Sequence, residues 1–322
     1  MLRAGRRVCG LAVLLPLVFL GGCLDASDGD DTLQVAVSIP PQRWLVEQLG
    51  GERLRVMVLV APGESPHTYQ PTDAQVSRLM ASAVYFRTGV SFENGPWFKA
   101  IQSAKGLRVV DVREGIDRLD MQPQSPAAGK PDLHAHEGHA HAHPEHEREH
   151  VCHSAGGCSD DGKDPHIWLS PQRLKRQAQT MARVLCELDS AGQAQYQRRL
   201  AELETCLDDL DRQLREMLSP LRGKAFFVFH PAWGYFAHDY GLRQKAIEIE
   251  GKEPSDHQLT EIQQEARAEQ IKVVLVQPQI SGRGARSVAA ATGARLEVAD
   301  PLPGDVPAGL RQMAEILVQS HK

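Results

Sequence analysis

The chain has 322 residues, 42% of them hydrophobic, and carries 36 Lys and Arg against 41 Asp and Glu for a net charge of −5. An acidic balance disfavours nucleic-acid binding, and the length suits two domains better than one. Eight of the 14 histidines fall between Asp132 and His153, in the run DLHAHEGHAHAHPEHEREHVCH, a density that suits metal chelation and no packed core.

Arg3, Arg6 and Arg7 precede an apolar run from Val8 to Leu20 and small residues up to Cys23. This is the layout of a secretory signal, and the run is too short to span a bilayer. Leu20-Gly21-Gly22-Cys23 resembles a bacterial lipobox, which implies removal of residues 1–22, lipidation of Cys23 and a chain anchored to a bacterial membrane without crossing it. Losing the three arginines takes the net charge from −5 to −8. Residues 23–31, rich in Asp and Gly, read as a tether.

From there, short apolar runs alternate with helical patterns, the signature of an α/β fold. Leu33 to Ile39 predicts a strand, Pro41 to Gly50 a helix, and Leu54 to Val60 a strand closed by Pro62-Gly63. Thr72 with Gln75 predicts a capping box and a helix to about Ala83. Val84 to Thr88 and Leu107 to Val112 read as strands, with a helix from Pro96 to Ser103 between them. From 117 to 163 the apolar periodicity vanishes, which predicts a disordered His-rich insertion within the first lobe, residues 32–189. Ser170-Pro171 is a strong helix start. Ser190 with Gln193 predicts a second capping box, opening a long linking helix over 190–219 that spans about 40 Å at helical rise. Residues 220–322 repeat the α/β pattern: strands at Ala225 to Phe229, Ala246 to Ile249, Ile271 to Val276 and Arg295 to Val298, and helices at Pro231 to Tyr240, Gln258 to Glu269, Gly284 to Thr292 and Val306 to Gln319. The expected architecture is two α/β lobes joined by one long, rigid α-helix.

Outside the tract, His67, His166 and His230 sit at element junctions, and Asp300 follows a strand in the same way. Open α/β sheets bind ligands beyond the carboxyl ends of their strands. Three imidazoles and a carboxylate make a tetrahedral zinc site. His238, inside a helical pattern, and His257, in a polar loop, read as structural.

The surrounding strings are Pro66-His67-Thr68-Tyr69-Gln70-Pro71-Thr72, Asp164-Pro165-His166-Ile167-Trp168-Leu169-Ser170-Pro171 and His230-Pro231-Ala232-Trp233-Gly234-Tyr235-Phe236. In that order, with a His-rich insertion between the first two, they resemble the zinc-binding proteins of bacterial metal-uptake ABC transporters, the ZnuA and TroA-like solute-binding family (cluster A-I). Glu250-Gly251-Lys252-Glu253-Pro254-Ser255 and Asp300-Pro301-Leu302 add to the match, which runs from about Leu33 to Gln319. The resemblance implies a metal in the interlobe cleft, with His67, His166 and His230 as ligands and, as the fourth, Asp300 in some members and water or another residue in others. It also implies delivery of Zn2+ to a membrane permease served by an ATPase, and a monomeric receptor that makes and breaks no bond. Manganese carriers of the family often have glutamate at the position of His230, and three imidazoles favour zinc over harder ions. Gln277-Pro278-Gln279 departs from the family, where glutamate is frequent at the first position.

Three other readings compete: a manganese receptor of the same family, a metal buffer independent of any transporter, and a zinc hydrolase. The last rests on His146-Glu147-Arg148-Glu149-His150, which matches HExxH. Pro144 before it, and the lack of an apolar stripe to pack such a helix, argue against that reading. The tract histidines His134, His136, His139, His141, His143, His146, His150 and His153 are expected to act as an accessory metal collector, since a flexible chelator loses more entropy on binding than a preorganised cleft. Cys152 and Cys158 could pair or add thiolates to the tract. Cys186 and Cys206, offset by about 16 Å on antiparallel helices, should not pair.

Overall fold

A computed structural model describes residues 32–121, 162–249, 251–280 and 282–322. The signal and lipidation calls at 1–22 and Cys23, the tether, all eight tract histidines, the HExxH string, Cys152 and Cys158 lie outside the described residues.

The first sheet consists of β1 (Leu33–Val37), β2 (Leu54–Val58), β3 (Val84–Arg87) and β4 (Arg108–Asp111), parallel throughout in the order β2-β1-β3-β4. The second repeats that order with β5 (Ala225–Val228), β6 (Arg243–Ala246), β7 (Val273–Val276) and β8 (Arg295–Val298), giving β6-β5-β7-β8. Parallel strands need helical crossovers, which bury both faces and explain the near-continuous apolar runs of β1, β3, β5 and β7. In each sheet the strand order reverses at the centre, between β1 and β3 and between β5 and β7. Such a switch point leaves a crevice at the carboxyl edge.

The helices are α1 (Pro40–Gly50), α2 (Asp73–Met80), α3 (Pro96–Gln102), α4 (Pro171–Leu188), α5 (Gln193–Leu218), α6 (Gly234–Tyr240), α7 (Asp256–Ala268), α8 (Arg283–Thr292) and α9 (Val306–Ser320). Thr72 and Gln75 form the expected capping box, and the Ser170 hydroxyl accepts from Arg173 N at the start of α4. The 26 residues of α5 extend about 39 Å at helical rise. This helix packs on α4, α1, α9 and α6. Leu203, Leu207, Leu210, Leu214 and Leu218 of α5 join one apolar cluster that also holds Val35 and Phe86 of the first sheet and Phe226 and Leu275 of the second. Two α/β lobes therefore share a core along α5. A wide hinge opening would have to break that packing.

Three local expectations need correction. The edge strand of the second sheet is β6 at Arg243–Ala246, not Ala246 to Ile249; beyond Ala246 the Ile247 and Glu248 N–H groups still donate to Val228 and Phe229 carbonyls, and Ile249 bridges to Lys252. The polar edge strand is masked in the sequence because Arg243 and Lys245 are covered by ion pairs to Glu269 and Glu265 of the α7 region, while the apolar run marks the chain diving inward at Ile247. Ser190 does not cap α5. Residues Ser190–Gly192 form a 3-10 turn, and Asp189 takes the Gly192 N–H instead, its carboxylate also accepting from Arg53 and Tyr196. Finally, α6 begins at Gly234, because residues 230–233 form a tight turn with Trp233 N donating to Gln244 Oε1.

Cys186 and Cys206 are free thiols, as their offset requires. Among the described residues no helix is long and apolar enough to cross a membrane.

Candidate metal centre

The loops that follow the strands converge on one small cavity of about 20 Å3. Ser65, Pro66 and His67 come from the connection after β2, Val90 from that after β3, and His230 from the turn after β5. Gln277 and Gln279 follow β7, while Pro301 and Leu302 follow β8. His166 and Trp168 arrive on the segment entering α4, where Trp168 Nε1 donates to the Pro301 carbonyl at 2.6 Å. That bond ties the two halves of the chain together at the cavity wall.

His67, His166 and His230 each offer a nitrogen within 4.8 Å of the others, and they are the only such group of metal-ligating side chains among the described residues. His166 and His230 are buried at 4% exposure, and His67 is half-buried. The Nε2 atoms of His166 and His230 lie 3.4 Å apart. Tetrahedral zinc with Zn–N bonds of about 2.0–2.1 Å has a ligand–ligand edge of about 3.3–3.4 Å, so this pair is already spaced for one ion. The other ring nitrogens are fixed by carboxylates: His166 Nδ1 lies 2.8 Å from Asp164 Oδ1 and His230 Nδ1 lies 2.6 Å from Glu248 Oε1. A carboxylate partner makes each Nδ1 the donor and leaves Nε2 as a bare lone pair. Two lone pairs facing each other at this distance repel unless a cation lies between them. His67 Nδ1 is buried with no hydrogen-bond partner, a further sign of a polar atom awaiting a ligand.

Asp164 and Glu248 were absent from the sequence-derived ligand set, and both act at this centre through the ring they orient. Asp164 also accepts the His166 backbone N–H, and its Oδ2 packs so closely over Gly234 that a Cβ there would lie 2.5 Å away. The Asp-Pro-His spacing was a usable signal for Asp164. Nothing local marked Glu248, because the strand that delivers it ends three residues earlier than the apolar run suggests.

Asp300 lies outside the three-histidine group. Its Oδ1 accepts from Gln279 Nε2 and from Leu302 N, each at 2.9 Å. His238 and His257, read as structural, are exposed and pair with Asp239 and Glu261 away from the cavity.

Removal from water pushes the His67 pKa well below the usual 6.5, and repulsion from His230 and His166 adds to this. Burial also lowers His166, against an opposing pull from Asp164. Both rings therefore stay neutral in the folded chain at pH values where a free imidazole would charge. Zinc affinity is expected to stay level down to about pH 6.5 and to fall only below it, as protons begin to compete. The metal-free fold follows the same sign. Its stability is complete above about 6.5 and declines below, where the unfolded chain takes up protons that the folded one resists. Competition titrations at about pH 8, 6.5 and 5 check the first point, and denaturation of the metal-free protein at the same values checks the second.

A sequence model of the family described as "Zinc-uptake complex component A periplasmic" matches residues 35–318. The chain belongs to this family. Among its relatives, the high-affinity zinc uptake system protein ZnuA of Yersinia pestis is 28% identical over 273 residues, covering 83% of this chain and 82% of that protein. A crystal structure of ZnuA superposes with a TM-score of 0.75 at 33% identity, covering 91% of this chain and all of that one. A ZnuA deletion mutant with zinc bound gives a TM-score of 0.74 at 34% identity over 90% of this chain and 98% of the other. Members of the family are solute-binding receptors, and the shared architecture is the pair of α/β lobes described above.

Proposed function

We propose that this chain is the extracytoplasmic receptor of a zinc-importing ABC transporter, holding Zn2+ on His67, His166 and His230 and handing it to the membrane permease and its ATPase. The observation that carries the reading is the 3.4 Å Nε2 pair of His166 and His230, preset to the edge of a zinc tetrahedron and oriented from behind by two carboxylates. Those carboxylates also balance the dipositive ion in a buried site. Relatives named for zinc uptake support the same cargo, and their transporter supports the same delivery step. Binding and release complete the cycle, with no bond made or broken in a substrate. Lipidation at Cys23 would hold a monomeric receptor at the membrane, within reach of the permease, on the tether of residues 23–31.

Nitrogen donors without an oxygen donor in the cluster select against manganese, which stands lowest in the affinity order of the divalent first-row metals. Titration of the metal-free protein should give one tight zinc per chain in the cleft, with manganese weaker by at least about 100-fold. A host lacking its own zinc receptor should regain growth on limiting zinc when this chain is supplied with its permease and ATPase. Equal affinity for the two metals, or no rescue by a well-expressed chain, would overturn the proposal.

A further inference from the structure

A second cavity opens at the carboxyl edge of the first sheet, between the ends of β3 and β4, and shares no lining residue with the metal cavity. We infer that it is a binding site for a small organic polycarboxylate, held by Arg87, Lys99 and Arg113.

The cavity measures about 360 Å3, at the lower end of the range for small-molecule sites. Arg87 closes β3 in register with Asp111 at the end of β4, and Arg113 follows two residues later. The two strands therefore deliver a guanidinium each to the edge where α/β sheets bind ligands. Lys99 reaches the same cavity from α3, the crossover helix between them.

Both guanidiniums are preset by the fold. Arg87 Nε donates to Glu93 Oε2 at 3.0 Å, and its guanidinium carbon sits 4.6 Å over the Phe98 ring. Glu93 is fully buried and is fixed in turn by Ser38 Oγ and by the Thr88 and Gly89 N–H groups. Only one of the five N–H donors of Arg87 is taken by this carboxylate. Arg113 donates through Nε and Nη2 to Asp111, and it packs so closely on Gly89 that a Cβ there would overlap the guanidinium.

Charge decides the class of ligand. Three cations line the cavity and two carboxylates, Glu93 and Asp111, back them, which leaves the site positive in a chain of net charge −5. Lys99 is exposed and makes no ion pair among the described residues. Guanidinium forks match planar carboxylates, and Phe98 in the wall can take the carbon frame that joins them. A single inorganic oxyanion would fill only a small part of this space.

The test is calorimetric titration of the metal-free full chain with tricarballylate, a tricarboxylate, and separately with inorganic phosphate. One tricarballylate should bind per chain, at least about tenfold more tightly than phosphate. Lys99→Glu, at an exposed position that the fold tolerates, should weaken tricarballylate by at least about tenfold, and Lys99→Arg, which keeps the charge, by less than about threefold. Arg87→Lys keeps a cation beside Glu93 but loses the fork, and should weaken it by roughly three- to tenfold. His230→Ala should leave tricarballylate binding unchanged. Absence of saturable binding, affinity unmoved by Lys99→Glu, phosphate bound as tightly as tricarballylate, or loss of binding in His230→Ala would each overturn the inference. The zinc reading is tested separately, by zinc titration of the same His230→Ala chain.

Discussion

Replacing His230 with alanine should weaken zinc binding by about 100- to 1,000-fold. A four-donor zinc site is worth roughly 10–16 kcal/mol, or about 2.5–4 kcal/mol for each donor, which corresponds to about two to three orders of magnitude in affinity. His230 is the ring with the most to lose. Its Nε2 faces that of His166 at 3.4 Å, its ring centroid lies 4.4 Å from that of His67, and removing it leaves Glu248 without the Nδ1–H it accepts. The substitution lies in a turn outside the strands and helices, so the fold should survive it. Competition against a chromophoric chelator measures the effect, with circular dichroism as the check on folding. A change of less than about threefold would mean that the tight site lies elsewhere.

The second large effect is expected at Glu248, which never touches the metal. Partners that orient a metal-bound histidine typically contribute about 10- to 100-fold in affinity. Glu248→Ala should reach the upper part of that range, since it strands the buried His230 Nδ1–H and removes a charge that offsets the ion. Glu248→Gln keeps an acceptor oxygen at about the same place and should lose less. The order wild type, Gln variant, Ala variant is the informative readout. Asp164→Asn should behave like Glu248→Gln, because it keeps an oxygen for His166 Nδ1 and alters the same charge balance. If alanine and glutamine at position 248 have the same affinity, orientation by hydrogen bonding plays no part, and charge alone matters.

The lobes were legible from the sequence because parallel strands buried on both faces leave continuous apolar runs, as in Val84–Phe86 and Val273–Val276, and because proline, glycine and capping residues punctuate them. The three histidines of the candidate centre were legible for a topological reason. Each stands at a junction, and the carboxyl edge of an α/β sheet collects its junctions in one place. What stayed hidden depends on contacts between residues remote in sequence. Glu248 meets His230 across 18 residues only because a polar edge strand, Arg243–Ala246, ends where it does. Asp300 follows its strand as the histidines follow theirs, and its Oδ1 accepts from Gln279 Nε2 and Leu302 N, contacts that no spacing rule reveals. Gln277 stood out in the sequence only as a departure from the family. Its burial in the wall of the cavity shared with the three histidines is visible only in the fold.

The histidine tract, the densest metal-like feature of the sequence, shares no residue with the centre of His67, His166 and His230. Whether zinc is held tightly by the folded cleft or by the tract is decided most directly by a zinc titration of the protein lacking residues 132–153. If the cleft is the receptor site, one zinc per chain binds that protein as tightly as it binds the full chain, and only weaker, additional equivalents disappear. Loss of the tight equivalent on removing the tract would contradict the assignment.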